Sequence, residues 1–116
     1  MRINPINPTV RANHKSRNKA EESSPWYEYG TDKEFQAWCR KQPSAFSGKI
    51  ENIVFAHHRT AENSGTACKP PYSGIPMTWE EHQHQHQIGQ YNFMAREWWE
   101  DQVRKHLEGW VNGIYT

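Results

Sequence analysis

Thr78 and Glu81 open the run TWEEHQHQH, and their spacing decides how the histidines behind them are presented. A threonine three residues ahead of a glutamate fits a capping box, in which each side chain satisfies the other residue's backbone N–H at a helix start. The spacing predicts a helix from about Thr78 to Gln87, ended by Gly89. In a strand, His82, His84 and His86 would share one face. In a helix, at about 100° per residue, His82 and His86 lie about 40° apart and one turn along, while His84 points away to solvent.

The rest of the chain must build a fold around that helix from little apolar material. Only 34% of the 116 residues are hydrophobic, so the length suits one small domain and part of it must be tail. Six Trp, five Tyr and four Phe compensate, because each aromatic ring buries a large area. The tail is expected at the start. Residues 1–25 are polar, carry Asn4-Pro5 and Asn7-Pro8, and place Arg2, Arg11, Lys15, Arg17 and Lys19 before the first acid, which reads as a disordered basic arm. The net charge of +1 by itself neither demands nor excludes a polyanionic partner.

The folded part begins near SSPWYEYG. Thr31 and Glu34 form another capping box, and Phe35, Trp38 and Cys39 share a face of the helix it starts, running to about Gln42 and packing through its tryptophan. QPSAFSGK is turn-like, and IENIVFAHH reads as a strand ending at His57-His58. Residues 59–73 have no period and form a loop, after which GIPM reads as a second strand. A final helix is expected over about 93–107, with Trp99, Val103, Leu107 and Trp110 as its buried stripe and His106 incidental. Cys39 and Cys68 read as reduced thiols of a cytoplasmic protein. No stretch of these residues reads as an apolar leader or a membrane span.

The element order brings the strand-end pair His57-His58 toward the helical pair His82 and His86. Neutral imidazole is the commonest metal ligand, and an i, i+4 pair supplies two ligands from one rigid element. A third from the strand would leave positions open for water and substrate, the pattern of a catalytic site.

The stretch AHHRTAENSGTACKPPYSGIPMTWEEHQHQH resembles the HNH or His-Me finger nucleases, whose unit is a β-hairpin followed by a helix clasping one metal ion. It is similar above all to phage and prophage members, including the Ref-like recombination-associated nucleases. The resemblance spans about residues 42–89 and rests on the histidine pair, GT..KPP.S, IPMT and the helical His-x-x-x-His. It implies an α+β fold: a single HNH-like domain over 26–116, with a ββα-metal core at about 50–89 and flanking helices.

The resemblance also implies roles, in two registers. In the register of the colicin-type DNases, His57, His82 and His86 hold the metal and His58 is the general base. In the Asp-His register, Ala56 takes the ligand position, His57 becomes the base, only His82 and His86 bind metal, and His58 is a bystander. The first is preferred because three histidines make a more complete catalytic site. Arg59 and Lys69 are the phosphate-clamp candidates. Ser44, Ser47 and Thr78 stand where relatives carry zinc-binding cysteines, so no structural zinc is expected, and Ser73 or Asn63 stands nearest the middle Asn of the motif.

The activity implied is metal-dependent endonucleolytic hydrolysis of DNA, leaving a 5′-phosphate and a 3′-hydroxyl. It uses one divalent cation, with Zn, Ni or Mn better suited than Mg to histidine ligands. The setting implied is the cytoplasm of a bacterial host, with the gene carried by a phage or prophage. The competing class is a non-catalytic metal- or nucleic-acid-binding phage accessory protein.

Overall fold

Two short β-branched and aromatic segments pair at the centre of the protein, and helices close over both sides of the pair. The computed structural model describes residues 19–59 and 70–113. In chain order these form α1 (Lys19–Ser23), a 3-10 turn (Pro25–Tyr29), α2 (Asp32–Cys39), β1 (Ile53–His57), β2 (Gly74–Thr78), α3 (Trp79–Ile88), α4 (Gln90–Phe93) and α5 (Arg96–Asn112). The fold is α+β. Most of the basic arm, the centre of the loop between the strands, Asn63, Cys68 and Lys69 lie outside the described residues.

β1 and β2 are antiparallel, with Ile53 opposite Thr78, Ala56 opposite Ile75 and His57 opposite Gly74. Every residue of β2 is buried. The strands separate two apolar clusters. On one side Phe35 and Cys39 of α2 pack with Tyr72 and Leu107, joined by Phe55, Trp38 and Trp110. On the other, Ala56, Ile75 and Met77 pack against Trp99 of α5. Phe35 meets Phe55 edge-on at 5.7 Å and Trp110 at 5.3 Å, so aromatic rings supply the area that a short aliphatic list could not.

Local chemistry sets the element ends. Both capping boxes form as the spacing predicts: Thr31 with Glu34 at the head of α2, and Thr78 with Glu81 at the head of α3. Gly89, at φ 96°, terminates α3. Three expectations are corrected. The arm, expected to be disordered to residue 25, is helical at Lys19–Ser23, where Glu21 accepts a 3.0 Å hydrogen bond from the backbone N–H of Asp32. α2 stops at Cys39 rather than near Gln42, because the N–H groups of Lys41 and Gln42 turn back to Trp38 and Cys39. Its face is centred on fully buried Phe35 and Cys39, with Trp38 only partly buried. The last helix, expected over 93–107, is two elements: Met94 is extended at φ −148°, so α4 ends at Phe93 and α5 runs from Arg96 to Asn112.

His106, expected to be incidental, is buried in α5. Its Nδ1 lies 2.7 Å from the Gln102 carbonyl, four residues back, and its ring meets Trp38 edge-on.

Candidate functional site

Side chains alternate across a strand, so neighbours at the end of β1 must part. His57 follows Phe55 onto one face, their ring centroids 4.9 Å apart. The Phe55 ring lies across β2 at Gly74, where an added Cβ would sit 2.5 Å from the ring and 2.6 Å from the Ala56 carbonyl oxygen. Glycine is required there by close approach.

His58 follows Ala56 to the opposite face. It is 7% exposed, its ring is stacked on Trp99 at 5.7 Å, and its Nε2 lies 2.7 Å from the Tyr91 hydroxyl. Its backbone N–H donates to the Ser73 carbonyl at 2.6 Å, while the Ser73 hydroxyl donates to the Pro70 carbonyl. Ser73, a candidate for the middle letter of the motif, thus ties the base of the loop.

On α3, His82 and His86 sit one turn apart with ring centroids at 4.4 Å and Nε2 atoms 3.2 Å apart. His84 points away, exposed, near Phe93. The strand face carrying His57 and the helix face carrying His82 and His86 border one open cleft of about 440 Å³, together with Arg59, Gln85 and Gln90. Of the sequence-predicted site residues, His57, Arg59, His82 and His86 therefore come together. His58 does not border this cleft; it lies on the other strand face against Trp99 and Tyr91.

Among the described residues, no three His, Cys, Asp or Glu side chains approach closely enough to hold one ion. His57 shares the cleft with the helical pair without closing a three-histidine set. The pair itself fits a cation: metal–nitrogen bonds of about 2.0–2.1 Å at a tetrahedral centre put two nitrogens about 3.3 Å apart, close to the spacing between these Nε2 atoms. Gln85 also lines this cleft; it is 5% exposed, and its Oε1 is buried without a hydrogen-bond partner among the described residues.

The cleft's edge is fastened from α4. The Gln90 amide brackets the backbone of Arg59, its Oε1 accepting from the Arg59 N–H at 2.9 Å and its Nε2 donating to the Arg59 carbonyl. The indole N–H of Trp99 donates to the Gln90 carbonyl at 2.9 Å.

The start of α3 is anchored by a carboxylate. Glu81 Oε1 accepts from the Thr78 N–H at 3.0 Å and from the Ser44 hydroxyl at 2.6 Å, and the Ser44 oxygen accepts from the N–H groups of Phe46 and Ser47. Burial pushes the Glu81 carboxyl up, but hydrogen bonds from Ser44, Ser47 and Thr78 outweigh it and hold the group below its ordinary value.

Gln85 and Gln90 are the cleft residues that sequence reasoning missed. Gln85 had a signal, since three residues beyond His82 is about 60° around the helix, beside the shared face. Compared with family models, curated proteins and solved structures, the chain matches none.

Proposed function

We propose that the protein is a metal-dependent endonuclease that hydrolyses phosphodiester bonds in DNA at the cleft between β1 and α3. The observation that carries this reading is the convergence of His57, Arg59, His82 and His86 on one open cleft, built from a β-hairpin and the helix that follows it. That arrangement agrees with the ββα-metal resemblance of the sequence. His82 and His86 would hold one divalent cation. When bound, the cation supplies positive charge to a scissile phosphate and to the oxygen that leaves it.

The remaining chemistry belongs to the chain. His57 is the general base in this reading: half-buried against Phe55, its imidazole borders the cleft and takes a proton from the attacking water. His58 is unsuited to that task, because its ring is enclosed by Trp99 and its Nε2 is committed to Tyr91. The geometry therefore favours the register in which His57 is base and His58 is structural. Arg59, with its backbone fixed by Gln90, offers a guanidinium fork to a phosphate. Water attack at phosphorus would leave a 5′-phosphate and a 3′-hydroxyl.

The test is nicking of supercoiled plasmid in Mn²⁺ or Zn²⁺, with and without EDTA, alongside circular dichroism of each variant. The parent should nick only with metal. His57→Ala and His86→Ala should lose activity while remaining folded. His58→Ala should lower the melting temperature, and cleavage per folded molecule should survive. Binding of DNA without cleavage in any metal would replace the enzyme with the non-catalytic binding module.

A further inference from the structure

We propose that Gln85 is the third protein ligand of the cation held by His82 and His86, bound through its side-chain carbonyl oxygen. The inference rests on reading the cleft as a metal site. Its own support is the state of Gln85. The side chain is 5% exposed, and its Oε1 is buried with no donor facing it among the described residues. A buried carbonyl without a donor is a destabilising feature that an apolar side chain of similar volume would avoid, and such groups are uncommon in folded proteins. The neighbouring glutamine in the cleft shows the contrast, since the Gln90 amide is satisfied at both ends by Arg59.

Placement on α3 makes a cation the fitting partner. Gln85 and His86 stand three and four residues beyond His82, so each neighbours His82 on the helix surface, one on either side of it. His82 and His86 already hold their Nε2 atoms at the spacing two ligands of one ion require. An amide oxygen completes an N₂O set of three protein donors and leaves coordination positions open, as a catalytic centre needs. It also removes the need for a strand ligand, which frees His57, preceded by the donorless Ala56, to act as base.

The experiment is calorimetric titration of chelator-treated protein with Zn²⁺, with Co²⁺ absorption as a report on the ligand set, on the full chain and on Gln85→Leu and Gln85→Glu. The parent should bind one ion. Gln85→Leu should weaken binding by about 10-fold to 100-fold, the scale on which support for a metal is lost, and should alter the Co²⁺ spectrum. The same variant should melt at or above the parent's temperature, because a buried unpaired carbonyl has been removed. Gln85→Glu should bind more tightly. Parent-like Zn²⁺ affinity in Gln85→Leu overturns the proposal, as does unchanged or weaker affinity in folded Gln85→Glu, which decides the matter if the leucine variant does not fold. A parent that binds no ion brings down the underlying metal reading itself, an outcome visible before any variant is compared.

Discussion

Glu81 carries two jobs that can be separated by measurement. Its carboxylate closes the capping box of α3 and binds the Ser44 hydroxyl across 37 residues of sequence. Replacing it with alanine removes the returning half of the cap, about 1 kcal/mol, and a hydrogen bond to a charged acceptor, about 1.5–3 kcal/mol. The group is only partly buried, so the lower end applies, and the total loss is about 2.5 kcal/mol. For a domain of this size, about 4–8 °C of melting temperature accompanies each kcal/mol, which places the expected drop at about 10–20 °C. Thermal and urea denaturation followed by circular dichroism would measure it. A double-mutant cycle with Ser44→Ala should return a coupling of about 1 kcal/mol. The pH dependence has a definite sign. The folded carboxyl titrates below its unfolded value, so its contribution is complete above the ordinary carboxylate range and is lost as pH falls through the folded value. The parent should therefore lose more stability on acidification than Glu81→Gln. A coupling of zero, or a Glu81→Ala protein as stable as the parent, would refute the account of this network.

Further expectations follow from other contacts. Gly74→Ala should destabilise by about 1–3 kcal/mol in urea denaturation, since a methyl would meet the Phe55 ring and a backbone carbonyl; Phe55→Leu in the same chain should recover part of the loss. His106 is held below its ordinary value by burial first, opposed by its bond to the Gln102 carbonyl and assisted by Lys105. Folding thus favours its neutral form, so its contribution is complete above the unfolded value of about 6.5 and declines below it; His106→Gln should flatten the fall in melting temperature between pH 7.5 and pH 5. Burial pushes the Cys39 thiol far up, and the side chain is fully enclosed, so it should react with a thiol reagent only as fast as the protein opens. Tyr91→Phe removes a hydrogen bond of a buried imidazole and should cost about 0.5–1.5 kcal/mol without abolishing metal binding.

The elements were legible where local chemistry decides them. Thr31-x-x-Glu34 and Thr78-x-x-Glu81 name their helix starts because both partners lie within one turn, and the β-branched and aromatic run Ile53–His57, set between turn-forming segments, names a strand by composition. The break at Met94 was hidden, since residues 90–113 carry no proline and the apolar spacing continues through it. The candidate cleft was half legible. A helical wheel pairs His82 with His86, and strand alternation already separates His57 from His58. Of that adjacent pair, only His57 borders the cleft with the helical histidines. The Gln90 bracket depends on a side chain folding back over 31 residues to a backbone amide, and no periodicity records such a contact.

The Glu81 network also bears on what a metal does in this protein. Ser44, Ser47 and Thr78 occupy positions that the nuclease resemblance gives to cysteines. Here they surround a carboxylate, Glu81, that joins the turn at residues 44–47 to the head of α3. Hydrogen bonds thus hold the helix start at a place where a thiolate-bound ion would otherwise do so. A fold that depended on a structural ion would unfold on chelation. Here the proposed cation would be held further along the same helix, between His82 and His86, and contributes to stability only in proportion to how tightly it binds. EDTA should therefore abolish plasmid nicking and lower the melting temperature only by that binding increment, leaving the circular dichroism spectrum unchanged. Chelation that unfolded the chain would assign the histidines a structural ion and contradict the division of labour along α3.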